Sequence, residues 1–70
     1  MIYLFGGFMS DDRRRLIVNK LTNNEAPIIG SELAEMFDVT RQVIVQDIAI
    51  IRASGIPVIA TSNGYIIQKH

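Results

Sequence analysis

Seventy residues and 7.8 kDa hold one domain, and a domain of that size buries only about 60% of the surface its unfolded chain exposes. With no cysteine and one histidine, His70, the inventory excludes disulfides, thiol catalysis, Cys-ligated zinc, a histidine metal cluster and a Ser-His-Asp arrangement, so catalytic and metal residues are read as none and an enzyme is not expected. Seven basic residues balance seven acidic ones, so charge alone points to neither nucleic acid nor membrane, and a small binding module is what the composition leaves.

Residues 1–10 read as an apolar tail ahead of a domain over 11–70. Met1–Met9 (MIYLFGGFM) has no positive residue before it, no small-residue cleavage site after it, and far fewer than the roughly 20 residues that span a bilayer. It is a loose tail, or residues upstream of a true start at Met9, or else an oligomerisation patch of Tyr3, Leu4, Phe5 and Phe8. Without a secretion signal or cysteine, a cytoplasmic protein with no membrane partner is expected.

Ser10-Asp11-Asp12 opens a first helix, with a capping hydroxyl and two carboxylates where the helix dipole favours negative charge. Ile17 and Leu21, flanked by Leu16 and Val18, give it an apolar side, and Asn23-Asn24 before Pro27 ends it. Ile28-Ile29 is a minimal strand at most. Gly30-Ser31 begins a second helix with Leu33, Ala34 and Phe37 inward, and Asp38-Val39 breaks it after about two turns. Thr40 is the natural N-cap of a third helix, and Gly55 its stop. Ile44, Ile48 and Ile51 form the core stripe of that helix. At about 100° per residue, Gln42 and Gln46 fall opposite it, with Val45 and Ala49 on the shoulder. The period then changes. Val58–Thr61 and Tyr65–Ile67 are β-rich, and Asn63-Gly64 between them suits a type I′ turn with positive φ at both positions.

The expected fold class is therefore α+β, a winged helix-turn-helix of three helices followed by a two-stranded hairpin wing. Two short helices joined tightly, with small Ala34 at their crossing, are the helix-turn-helix pattern, and the later helix offers its N-terminal residues to a major groove. Glutamine amides pair bidentately with adenine, Val45 suits a thymine methyl, and Arg41 can reach a guanine edge or a phosphate. The alternative is a protein-interaction winged helix in which Val45, Ile50 and the apolar N-terminus make one contact surface.

The runs RQVIVQDI (Arg41–Ile48) and IATSNGY (Ile59–Tyr65), with Arg52 between them, closely resemble the niacin-responsive transcriptional repressors of NAD biosynthesis. The N-terminal domain of that family is a biotin-repressor-like winged helix, and the resemblance covers roughly residues 13 to 69. It implies a groove-facing set of Thr40, Arg41, Gln42, Val45 and Gln46, a wing tip of Ser62 and Asn63, a double-stranded operator as partner, and a homodimer for the full-length protein. Where many helix-turn-helix proteins place glycine in the turn, this chain has Asp38, which tolerates a left-handed backbone better than most residues. Family members continue into a histidine-rich domain that binds the effector. The sequence stops at His70, so no cofactor is expected in this chain and a niacin effector is assigned to no residue of it.

Arg13, Arg14 and Arg15 look like a nucleic-acid patch, but consecutive helix positions spread them over about 200°, so at most two face one phosphate backbone. Lys69 is either a phosphate contact or a solubilising end. Glu25, Glu32, Glu35 and Asp38 make the surface around the second helix acidic, which suggests modest affinity from a single domain.

Overall fold

The computed structural model describes residues 10–68; the readings made for Met1–Met9, Lys69 and His70 lie outside them. Five elements follow in chain order: α1 (Ser10–Thr22), α2 (Gly30–Phe37), α3 (Arg41–Ala53), β1 (Val58–Thr61) and β2 (Gly64–Ile67). This is the winged helix-turn-helix expected from the pattern. Each helix turns its periodic apolar residues inward: Ile17 and Leu21 from α1, Leu33, Ala34 and Phe37 from α2, and Ile44, Ile48 and Ile51 from α3. Val58 and Ile67 close the core from the hairpin, and Ile28 from the segment before α2. No helix among the described residues is long and apolar enough to cross a membrane.

The two helix ends that flank the site share one device. After α2, Asp38 takes φ 57° and ψ 47°, and its N–H bonds to the Glu35 carbonyl while Val39 N–H reaches back to that of Ala34. After α3, Gly55 takes φ 101°, with Gly55 N–H on the Arg52 carbonyl and Ile56 N–H on that of Ile51. These paired bonds satisfy carbonyls that a helix terminus otherwise leaves unpaired. Asp38 thus does the work of the usual glycine, and the turn from α2 to α3 needs only residues 38–40.

The hairpin pairs Val58 with Ile67, Ile59 with Ile66, Ala60 with Tyr65 and Thr61 with Gly64. Ile28 bridges the other edge of β2, exchanging both backbone bonds with Tyr65 at 3.0 and 2.8 Å. The expected type I′ turn at Asn63-Gly64 is not what forms. The turn residues are Ser62 and Asn63, and only Gly64 has positive φ, at 128°. Two side-chain bonds of Thr61 hold this geometry: its Oγ1 accepts from Asn63 N–H at 3.1 Å and donates to the Gly64 carbonyl at 2.8 Å. With Thr61 supporting the turn locally, Asn63 keeps an ordinary backbone. Gly64 is required twice, because a Cβ there would also overlap the backbone of Ile28 and Ile29.

Candidate nucleic-acid interface

On α3 the buried stripe leaves Gln42, Val45, Gln46 and Ala49 exposed together on the opposite side. Val45 is 47% exposed and makes an apolar spot between the two glutamines. Thr40 starts the helix with extended φ and ψ, and its Oγ1 accepts from Val43 N–H at 3.3 Å. A capping hydroxyl keeps its own proton to donate, so the cap does not close Thr40 to a phosphate oxygen.

Arg41 is exposed at the first turn of α3 and makes no ion pair among the described residues. Its side chain lies against Gly30, where a Cβ would stand 3.6 Å from Arg41 Nε and 3.4 Å from the Tyr65 ring. Gly30, Arg41, Thr61, Ser62 and Tyr65 line one open cleft of about 170 Å³, so the start of α2, the start of α3 and the wing meet there. Ile29 gives the first turn of α2 no side-chain cap, and the start of that helix lines the cleft beside a guanidinium without an acidic partner among the described residues. Such a cleft suits an anion. Ser62 shares it, and Asn63 is exposed beside it at the wing tip. Arg52 fastens the wing by donating from Nε to the Val58 carbonyl at 3.1 Å.

The arginine run on α1 has a different fate. Arg13 Nε and its terminal nitrogen grip the two oxygens of Asp47 at 2.5 and 3.0 Å, and Arg14 adds a third bond to the same carboxylate at 3.2 Å. Asp47 is 2% exposed, and the side chains of Arg13 and Arg14 are 12% and 20% exposed. The hydrogen bond to Asp47 raises the Arg13 pKa above its ordinary value; burial lowers it in part, and attraction to the same carboxylate adds to the rise. Arg14 also bonds Asp11 at 2.6 Å, and Arg15 pairs with Asp12 at the exposed end of the helix. None of the three is a free cation. Asp47 was legible in principle: it falls between Ile44 and Ile48 on the inward side of α3, where a carboxylate requires a cationic partner.

The rival contact surface is divided. Val45 and Ile50 are five residues apart, about 140° around the helix. Ile50 borders an apolar groove with Val18 and Ile56, which Val45 does not line.

A family model described as an HTH domain matches residues 13–66. The chain is 45% identical over 58 residues to the transcription repressor NadR of Bacillus subtilis, an alignment covering 83% of this chain and 32% of that protein. It is 45% identical over 56 residues to the probable transcription repressor NiaR of Thermotoga maritima, covering 80% of this chain and 32% of that protein. The chain therefore spans about a third of the length of the curated relatives it matches. Both carry the name of transcription repressors.

Proposed function

This chain belongs to the HTH domain family, and we propose that it is the sequence-specific DNA-binding domain of a bacterial transcription repressor acting on NAD biosynthesis or niacin uptake genes. One observation carries the DNA reading: Gln42, Val45 and Gln46 stand exposed on one face of α3 while Arg41, without an acidic partner among the described residues, shares a cleft with the wing. A face of this chemistry reads base edges, and the cleft beside it takes the backbone. Repression follows from occupation of the operator. The target genes rest on the family resemblance and on the names of the two relatives.

Thr40, Arg41, Gln42, Val45 and Gln46 are the groove-facing set in this proposal, and Ser62 and Asn63 carry the wing contact. The whole protein works in the cytoplasm as a homodimer, since two-fold half-sites about one helical turn apart need two recognition helices. Effector sensing belongs to the portion that the relatives have beyond the matched third, and this domain binds no cofactor of its own.

The test is selection of duplexes from a random pool by the 70-residue chain, followed by electrophoretic shift of the enriched sequence across a salt series. Affinity should fall steeply as salt rises, because neutralised phosphates release their counterions, and a scrambled duplex should bind more weakly. No enrichment, with binding indifferent to salt, would refute the proposal.

A further inference from the structure

We propose that Asp47, gripped by Arg13 and Arg14, is a positioning residue for DNA recognition that fixes the rotation of α3 about its own axis. The inference rests on the DNA-binding reading above and adds to it a residue that touches no DNA. Asp47 is buried, follows Gln46 directly, and is the one acidic side chain in the buried part of the domain among the described residues. The other inward contacts of α3, through Ile44, Ile48 and Ile51, are aliphatic and non-directional, and such contacts resist separation of helices better than rotation of one against another. A two-pronged guanidinium–carboxylate pair is directional. Its two bonds from Arg13 and the third from Arg14 tie one azimuth of α3 to the first turns of α1.

Rotation matters for reading. A helix with side chains is about 10–12 Å across, so a turn of about 20° moves an amide on its rim by about 2 Å, beyond the tolerance of a hydrogen bond. Gln42 and Gln46 need that tolerance on two bonds each if they pair bidentately with a base edge. The arginine run thus serves specificity from the inside of the domain, and it leaves phosphate binding to other groups.

The experiment uses the duplex enriched from the random pool, a scrambled duplex, and the 70-residue chain carrying Asp47→Asn, Arg13→Gln, both together, or Ile17→Val. Ile17 is a fully buried residue of α1, so Ile17→Val loosens packing without touching the charges. All are assayed at a temperature where circular dichroism shows them folded. Where Asp47→Asn does not fold, Arg13→Gln alone decides, because it removes both prongs of the grip and leaves the carboxylate its 3.2 Å bond from Arg14.

Preference for the enriched over the scrambled duplex should fall about tenfold in the charge variants. The double variant should lose no more than either single one, and the salt slope should stay at its original value. Ile17→Val should keep the full preference. Three outcomes would overturn the inference: an unchanged preference in the charge variants, an equal loss in Ile17→Val, or a salt slope reduced by about one in Arg13→Gln, the mark of a phosphate contact. If the unaltered chain itself shows no preference, the DNA-binding reading fails first and takes this inference with it.

Discussion

Arg13 and Arg14 on α1 and Arg41 on α3 are the same side chain in opposite circumstances. The pair on α1 sits in the most basic run of the sequence, yet both guanidiniums close on the buried carboxylate of Asp47. Arg41 has no basic neighbour in the sequence, and it stands exposed beside the wing without an acidic partner among the described residues. Charge density along a chain therefore says little about which cations a ligand meets. What decides is whether a desolvated anion waits inside. An unpaired buried carboxylate is costly enough to recruit arginines from another helix, whereas an exposed guanidinium is bound only weakly by anything nearby.

The largest effect should come from breaking the buried side of this contrast. Asp47→Ala leaves Arg13 and Arg14 facing each other in a largely dry site, and loss of one partner of a buried pair costs about 3–5 kcal/mol. For a 70-residue domain that is close to the whole stability, so urea unfolding should show a chain folded marginally or not at all. Alkali should not imitate the mutation. A pKa raised on folding contributes stability that is fully present below the unfolded value and is lost only as pH rises through the folded one. Arg13 is raised from a group that already stays charged throughout the ordinary pH range. The stability difference between the unaltered chain and Arg13→Gln should therefore be flat from about pH 7 to 9.

The other side of the contrast depends on the cleft, whose wall the wing supplies. Gly64→Val forces a branched residue into positive φ and drives its side chain into the backbone of Ile28 and Ile29. Strain of this kind costs about 1–3 kcal/mol, and the overlap adds to it. The thermal midpoint should drop while the helical signal in circular dichroism stays near its original size below the transition. An unchanged midpoint would mean that the turn and the Ile28 bridge to Tyr65 do not constrain this position.

Much of this arrangement was readable from the chain. The periods of Ile17–Leu21, Leu33–Phe37 and Ile44–Ile51 are local facts, and so are the stops at Asp38 and Gly55; the helices follow from them. The exposed face with Gln42, Val45 and Gln46 follows as well, because a buried stripe fixes what lies opposite. Two features were not legible, because each depends at least in part on partners distant in sequence. The Arg13–Asp47 pair spans 34 positions, and helical spacing on α1 alone cannot see it. Asn-Gly is the strongest local hairpin signal, but Thr61 holds the wing turn one residue earlier and the approach of Ile28 dictates glycine at 64. Arg41 stands out in the sequence by its position at the helix start, but its sharing of a cleft with Ser62 follows only from the fold.

Arg41→Gln isolates the exposed cation. Stability should change by no more than about 0.5 kcal/mol, since the side chain has no ion pair to lose. Binding to any duplex should weaken, and the slope of log affinity against log salt should shrink by about one, as for a single phosphate contact removed. If instead only the enriched duplex is affected, with the slope intact, Arg41 reads a base edge.

The smallest effect should come from Arg15→Gln, and its smallness is informative. Arg15 belongs to the same run as Arg13 and Arg14 but points to solvent at 76% exposure, paired three residues back with Asp12 at 3.3 Å. Such helical pairs contribute at most about 0.5 kcal/mol and are screened by salt. If the run were a phosphate-binding patch, Arg15 would be its most accessible member, and removing it would lower the salt slope of DNA binding more than removing the buried Arg13. If the run serves to hold Asp47, Arg15 is dispensable: unfolding midpoint, affinity and salt slope should all stay within error of the unaltered chain. A measurable loss of slope in Arg15→Gln would return α1 to the DNA surface, and would mean that the contrast between the two sets of arginines is one of degree.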